Sequence, residues 1–384
     1  MSDPALALSA EHGVPPALLE EALSLLAAQG PEALVRGPER LQGLVAFAAL
    51  LRHSSAVLHA DPLQGVELAR WATRVGSRLD PAQLGPRRIA DLRCRAWAIL
   101  GNAYRVADNL SAAEFAFTEA FRHHAAGGQD EKLLARLLDF QASLRADQRR
   151  FAEAIELLDR VSAIHRQSGD DHLVGRALIS EGLFTGYSGD AEGAIRLIEE
   201  GLARIDRERD PKLALWATHN LSLFVIETGR FREARDLAHK NLRRFEAREH
   251  RIDFLKLLWV EARADASLGA LERAEKGFLE VREGMQDAGK RYHAAQAALD
   301  LASVYQRQDR PREARATVLE AVDIFLELEI SRQAIAAVLA LQNACRQGLE
   351  FGGLLEEVMD FLRRLERDPS LQFKARSRLV PPSK

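Results

Sequence analysis

The sequence has few cysteines, few aromatic residues and no long apolar run. Of its 384 residues, two are cysteines and 6% are aromatic. The two cysteines, Cys94 and Cys345, lie so far apart that they form neither a disulfide framework nor a metal-ligand spacing. No stretch reaches the roughly 18 to 20 apolar residues of a membrane span, and residues 1–16 lack the basic start and apolar run of a secretory signal. These absences predict a cytoplasmic protein without a membrane partner.

The charges of the chain nearly cancel. The formal net charge is -3, although 28% of the residues are charged. Domains that bind nucleic acid are usually strongly basic, so this balance disfavours nucleic acid as a partner. Ala, Leu, Arg and Glu are frequent, which favours helices. A chain of this length exceeds one compact helical core and suits two domains or an elongated array.

Chemical motifs are also missing. A catalytic site needs a converging set of groups, yet the histidines are scattered and no H-E-x-x-H, phosphate loop or nucleophile elbow occurs. We therefore predict no catalytic residues, no metal and no cofactor, and a protein that is not an enzyme. The adjacent pairs Glu356–Glu357 and Arg363–Arg364 stand at helical spacing and predict solvated helix faces.

One segment, residues 97–120, carries a recognisable two-helix pattern. Its residues are Trp97, Leu100, Gly101, Tyr104, Ala113, Phe117 and Ala120. Their spacing is W-x2-L-G-x2-Y, a gap of eight, then A-x3-F-x2-A, in which small residues let two antiparallel helices touch. The segment closely resembles a tetratricopeptide repeat (TPR), except that Ala125 stands in place of the closing proline. The resemblance implies helical hairpins whose first helices line a concave surface that binds extended peptides or partner helices.

The small residue that opens each second helix recurs along the chain. It is found at Ala113, Ala154, Ala194, Ala234, Ala274 and Ala314, at intervals of 41, 40, 40, 40 and 40 residues. The family's unit is about 34 residues long. Each unit of this chain is thus about six residues longer than the family's unit. The additional residues predict longer helices, and hence a long-helix TPR variant with a period of about 40 residues.

The pattern predicts an all-α, right-handed solenoid of about eight antiparallel hairpins. We expect six TPR-like repeats over residues 86–328, with Asp170, Asp190 and Asp210 as helix N-caps. A degenerate hairpin at 38–79 precedes them and another at 331–367 caps the array. Residues 1–37 are expected to form a helix, ending near Gly30, and a capping segment; the basic tail 368–384 is expected to be disordered.

The resemblance places the binding surface on the first-helix face that points away from the second helix. Asn and Gln there would pair with an extended backbone, Arg and Lys with carboxylates, and Trp would give contact area, unless the tryptophans pack between repeats instead. The predicted partner-binding residues are Arg95, Asn102, Arg105, Arg136, Asp139, Arg176, Trp216, His219, Asn220, Lys256, Trp259, Arg263, Gln296 and Gln306.

These features predict a non-catalytic scaffold that binds a protein or peptide segment on its concave face, as an adaptor or regulatory subunit of an assembly. A small-molecule ligand is not expected. The alternative is a peptide-sensing signalling receptor whose repeats change superhelical pitch to control an effector.

Overall fold

A computed structural model describes residues 14–242, 251–328, 331–368 and 370–376. These residues form α-helices and one short 3-10 helix, Glu39–Leu41, and contain no β-strand. Among the described helices, none is both long and apolar enough to cross a membrane. The helices are α1 (Pro16–Arg36), α2 (Leu44–Val57), α3 (Pro62–Arg78), α4 (Pro81–Leu84), α5 (Pro86–Val106), α6 (Leu110–Ala126), α7 (Glu131–Asp147), α8 (Phe151–Gln167), α9 (Asp171–Tyr187), α10 (Ala191–Arg204), α11 (Pro211–Glu227), α12 (Phe231–Leu242), α13 (Arg251–Ser267), α14 (Leu271–Asp287), α15 (Arg291–Arg307), α16 (Pro311–Glu327), α17 (Arg332–Arg346) and α18 (Gly352–Arg367).

The helices pack as consecutive pairs within two compact units, Met1–Ala214 and Leu215–Lys384. In the N-terminal unit α2 packs on α3, α5 on α6, α7 on α8 and α9 on α10. In the C-terminal unit α13 packs on α14, α15 on α16 and α17 on α18, and α18 also packs against α15. Repeated helical hairpins of this kind make an all-α solenoid, as the sequence predicts.

Small residues let the paired helices approach each other. A Cβ atom added to Gly101 on α5 would lie only 2.6 Å from the ring of Phe117 on α6. The alanine that opens the second helix is fully buried in all six predicted repeats, at Ala113, Ala154, Ala194, Ala234, Ala274 and Ala314. The close contact between the two helices of a hairpin, predicted from the first repeat, is confirmed.

Helix starts and turns follow the residues that favour them. The carboxylates of Asp170, Asp190 and Asp210 each accept a hydrogen bond from the backbone N–H three residues later, at 3.1, 2.8 and 3.0 Å. These three predicted N-caps are therefore confirmed. Gly189, in the turn between α9 and α10, has φ of 106°, which favours glycine because it carries no Cβ.

The ends of the chain differ in part from expectation. The helix expected to end near Gly30 is interrupted there, with φ of 83°, but it resumes and continues to Arg36. In the C-terminal tail, Phe373 packs on Phe361 of α18 with ring centroids 5.1 Å apart. Residues 1–13 of the predicted capping segment, 243–250 of the predicted repeats and 377–384 of the predicted tail lie outside the described residues.

Candidate ligand-binding site

In the N-terminal unit, two predicted binding arginines of α5 are paired with carboxylates at the two ends of α7. Arg105 Nη1 lies 2.8 Å from Asp147 Oδ2, and its guanidinium also donates to Asn102 Oδ1 at 2.9 and 3.1 Å. Arg95 Nη2 lies 3.3 Å from Asp130 Oδ2. The structure thus brings Asn102 and Arg105 together, and both arginines connect neighbouring repeats.

The other predicted residues of this unit lie on α7 and α9. Asp139 Oδ2 is 3.9 Å from Arg176 Nη2, while the Arg136 guanidinium lies 5.5 Å from the ring centroid of Phe140. Half-exposed ion pairs of this kind contribute about 0 to 1 kcal/mol. The charged side chains predicted for ligand binding in this unit therefore already have partners within the chain.

In the C-terminal unit, five of the predicted residues line one cavity of about 180 Å³. They come from three first helices: His219 from α11, Lys256, Trp259 and Arg263 from α13, and Gln296 from α15. The remaining lining residues are Leu223, Val260, His293, Leu299, Asp300, Met359, Leu362 and Arg363. Apolar walls with a few converging polar groups are typical of ligand-binding pockets.

Three predicted residues do not line this cavity. The Asn220 side chain is buried, and its Nδ2 donates to the backbone oxygen of Trp216 at 2.9 Å, so this donor is used within α11. Trp216 is 39% exposed, and Gln306 is half-buried on α15.

A buried carboxylate organises one side of the cavity. Asp300, only 5% exposed, accepts a hydrogen bond of 2.7 Å from Trp259 Nε1, and its other oxygen lies 2.7 Å from Arg363 Nη2. Trp259 is half-buried, and this hydrogen bond connects it to α15, the first helix of the following repeat. Arg363, predicted on a solvated face, has a side chain that is 38% exposed, but because α18 packs against α15 its guanidinium also reaches buried Asp300.

Two histidines of the cavity are held in their neutral form. Burial, followed by the charges of Lys256 and Arg263, lowers the pKa of His219 to about 4. Burial, followed by Lys256 and Lys290, also lowers the pKa of His293. At neutral pH the imidazoles supply hydrogen-bonding groups, and the positive charges beside them belong to Lys256, Arg263 and Lys290.

A second, more open cavity of about 590 Å³ adjoins the first. The two share five lining residues, Leu223, Arg263, Asp300, Met359 and Arg363. The second cavity continues between α15 and α18, where Ser303 Oγ donates to the carboxylate of Glu356. Together the cavities form a continuous recess along the first helices.

Neither cysteine is placed for chemistry. Both are buried free thiols, and burial raises the pKa of Cys94 to about 12 and that of Cys345 to about 11. Among the described residues, no group of three or more His, Cys, Asp or Glu could hold a metal ion.

Sequence reasoning missed the contribution of α18 and of His293. The apolar spacing of Leu354, Val358, Leu362 and Leu365 marks α18 as amphipathic, but this pattern does not reveal that the helix packs on α15 as well as on α17. His293 stands three residues before Gln296, on the face where the ligand was expected. That spacing is the signal that could have found it.

The paired helices and the recess on their first helices define a TPR-like α-solenoid. No protein-family model matches the chain, and no curated protein is similar to it in sequence. Solved structures with this fold include the apo quorum sensor NprR from B. thuringiensis, at 14% identity and a TM-score of 0.59, covering 77% of this chain and 80% of that one. NprR in complex with its cognate peptide NprX is 15% identical, with a TM-score of 0.52 and coverages of 84% and 88%.

A third similar structure belongs to a much longer protein. It is the signal transduction ATPase with numerous domains, with a tetratricopeptide repeat sensor, from Pyrococcus horikoshii. It is 15% identical with a TM-score of 0.61, and the match covers 82% of this chain and 48% of that one. The present chain thus spans about half the length of that protein, and similarity at this level of identity shows the fold.

Proposed function

We propose that this protein is a non-catalytic, cytoplasmic TPR-like module that holds a protein or peptide segment on its first-helix face, as an adaptor or regulatory subunit. The observation that carries the proposal is the cavity of the C-terminal unit, where five sequence-predicted binding residues converge from three first helices. A peptide occupies the similar NprR structure, which supports the same class of ligand here.

We further propose that the chain is a long-helix variant with a unit of about 40 residues. The left-handed turn residues within the hairpins support it: Asp108, Arg149, Gly189, Gly229, Gly269 and Asp309 all have positive φ. Their intervals are 41, 40, 40, 40 and 40 residues, which equal the intervals between the buried alanines. Six repeats flanked by degenerate hairpins remain the proposed domain organisation.

Within the predicted site, the five residues around the cavity are proposed to make the main ligand contacts. The paired arginines of the N-terminal unit and Trp216, Asn220 and Gln306 are proposed as secondary contacts, since their polar groups are already bonded or lie outside the cavity.

Site-specific photo-crosslinking tests this function. p-Benzoylphenylalanine is introduced at Gln296, which lines the cavity, and, as a matched control, at Lys276, which is exposed on the second helix α14. In the native cell we expect a protein or peptide adduct at position 296 that is absent at position 276. Equal adducts at both positions, or none at 296, would contradict binding on the first-helix face.

The alternative is a peptide-sensing receptor, favoured by the similarity to the quorum sensor NprR. Small-angle scattering with and without the captured segment separates the two functions. A scaffold is expected to keep its radius of gyration, whereas a receptor that changes superhelical pitch alters it on binding.

A further inference from the structure

We infer that the N-terminal unit carries a second docking surface, which binds an acidic amphipathic helix of a partner protein. The surface consists of Arg70, Arg74 and Arg78 on α3, with Leu63 at one end and the exposed ring of Phe115 on α6. It is called the arginine–aromatic patch below. Both helices are second helices of their hairpins, so the inference goes beyond the proposed binding on the first helices.

Three arginines form a stripe along one side of α3. Arg70, Arg74 and Arg78 follow one another at intervals of four residues, so each lies about 6 Å from the next along the helix axis. All three are exposed. Leu63, which is 76% exposed, stands seven residues before Arg70 and continues the same side toward the start of the helix. The opposite side, which includes Ala72, is buried in the core, so α3 presents the stripe to solvent.

The arginines of the stripe have aromatic neighbours and no carboxylate partner. Arg70 Nε donates to the hydroxyl of Tyr104 at 2.8 Å, and the guanidinium of Arg74 lies 5.1 Å from the ring centroid of Trp71. In the part of the chain that the structure describes, no carboxylate lies within ion-pair distance of any of the three. The only acidic residue in the sequence of α3 is Glu67, so the helix carries two more positive than negative charges. These charges are available to a partner.

Aromatic side chains of α5 connect the stripe to Phe115. Trp97 and Tyr104 both pack against the core that includes α3 and against the core that includes Phe117 of α6. Trp97 also contacts Phe115, with ring centroids 5.9 Å apart and the rings nearly perpendicular. Phe115 is nevertheless 61% exposed. Large aromatic side chains and arginines are the residues that contribute most to binding at protein–protein interfaces, and the patch combines both.

The carboxylates of α6 do not balance the stripe. Glu114 precedes Phe115 in the sequence and accepts a hydrogen bond of 2.8 Å from Arg145 Nη2 on α7. Glu119 Oε2 lies 2.6 Å from Arg122 Nη2 on its own helix. Because α6 has no other acidic residue in its sequence, both of its negative charges already have an arginine of their own.

Charge and apolar exposure together select an acidic helix as the partner. A helix with an acidic residue at every fourth position presents carboxylates about 6 Å apart, which is the spacing of the arginines. Guanidinium and carboxylate groups form charge-assisted hydrogen bonds, while apolar residues of the same helix cover Leu63 and Phe115. A nucleic-acid backbone brings no apolar group to Phe115. An interfacial membrane helix buries its apolar face in lipid, whereas the apolar face of α3 is buried in the protein.

Fluorescence anisotropy with the full chain tests the inference. The probe is a fluorescein-labelled helical peptide of about four turns, with glutamate at every fourth position, leucine on the adjacent face and alanine elsewhere. Its counterpart carries glutamine in place of every glutamate, so the two peptides differ only in their carboxylates. At about 0.1 M ionic strength we expect saturable binding of the glutamate peptide and at least tenfold weaker binding of the glutamine peptide.

A charge-matched pair of variants assigns the binding to α3. Changing all three arginines of the stripe to glutamine should weaken binding of the glutamate peptide at least tenfold. The control variant makes the same change at three exposed arginines on the later second helices α8, α10 and α12, and should alter the affinity less than twofold: Arg160→Gln, Arg196→Gln and Arg232→Gln. Arg78→Gln alone breaks no contact within the described chain, so its expected threefold loss of affinity does not depend on a change in folding.

A second pair tests the apolar part of the patch. Leu63→Ala should weaken the glutamate peptide at least threefold, whereas Leu339→Ala, at an exposed position of α17, should leave its affinity unchanged. Circular dichroism melting of each variant measures whether it is folded. Equal binding of the two peptides, equal losses in the two triple variants, or full affinity in Arg78→Gln would overturn the inference.

Two further probes separate the other sources of negative charge. They are fluorescein-labelled oligouridylate and vesicles of phosphatidylcholine containing phosphatidylserine. We expect both to bind more weakly than the glutamate peptide. Tighter binding of either probe, lost when the stripe is changed to glutamine, would overturn the assignment to a protein helix in favour of nucleic acid or a membrane. Crosslinked partners at position 296 combined with equal binding of the two peptides would refute this inference alone and leave the proposed function standing.

Discussion

Glu181→Gln is expected to stabilise the protein at alkaline pH and to have little effect at acidic pH. Glu181 lies on α9, is 8% exposed, and has no hydrogen-bond or ion-pair partner among the described residues. Burial, followed by the charge of Asp159, raises its pKa to about 7; Arg166 on α8 opposes the shift, and Glu200 on α10 adds to it. The carboxyl therefore ionises in the folded protein only at a cost.

The sign and size of the effect follow from the two pKa values. Because the folded-state pKa of about 7 lies above the ordinary value of 4.5, the native state binds more protons between these pH values, and stability falls as pH rises through that window. At about 1.36 kcal/mol per unit, the shift corresponds to about 3 kcal/mol above pH 7. Because 8% of Glu181 stays exposed to solvent, we expect a smaller effect of about 1 to 3 kcal/mol. Glutamine cannot ionise and removes this penalty.

Urea unfolding of the original chain and the variant at pH 4.5 and pH 8, followed by circular dichroism, measures the difference. Glu199→Gln is the matched control, since it makes the same chemical change at an exposed position of α10. We expect the Glu181→Gln gain to be near zero at pH 4.5 and about 1 to 3 kcal/mol at pH 8. A gain of equal size at both pH values, or a loss at pH 8, would refute the assignment of the raised pKa to Glu181.

Three other substitutions or reactions test the packing. Gly101→Leu should lower the free energy of unfolding by about 1 to 3 kcal/mol or more, because even a Cβ there meets an aromatic ring at 2.6 Å; an unchanged melting temperature would contradict the close contact. Arg363→Ala should cost about 1 to 3 kcal/mol by leaving buried Asp300 without its cation, and a double-mutant cycle with Asp300→Asn should show coupling. Cys94 and Cys345 should react with a thiol reagent only on unfolding, since burial raises both pKa values; rapid reaction of the native protein would contradict their burial.

Local features of the fold could be predicted because they depend on residues close together in the chain. The N-cap expected at Asp170 accepts a hydrogen bond from the backbone N–H of Leu173. The continuation of α1 beyond Gly30 could not be predicted, because it depends on Leu34 finding a buried environment in the N-terminal core.

The candidate site was predictable on one side only. Helical spacing places Lys256, Trp259 and Arg263 on one face of α13, and the structure keeps them together. The opposite wall depends on where α18 docks, and Arg363 reaches Asp300 across 63 positions of sequence. No periodicity connects two residues so far apart. The sequence likewise left open whether Trp259 is exposed or packed. In the structure its ring is half-buried, and the indole N–H donates a hydrogen bond to Asp300.

The position of α18 has a consequence for how the recess works. Leu354, Leu355, Val358 and Leu362 are almost fully buried, so the helix is held by an apolar core, while Arg363 adds one ion pair to the first-helix face. Burying four such side chains stabilises the docked helix by several kcal/mol. This apolar core makes the C-terminal helix a stable wall of the recess.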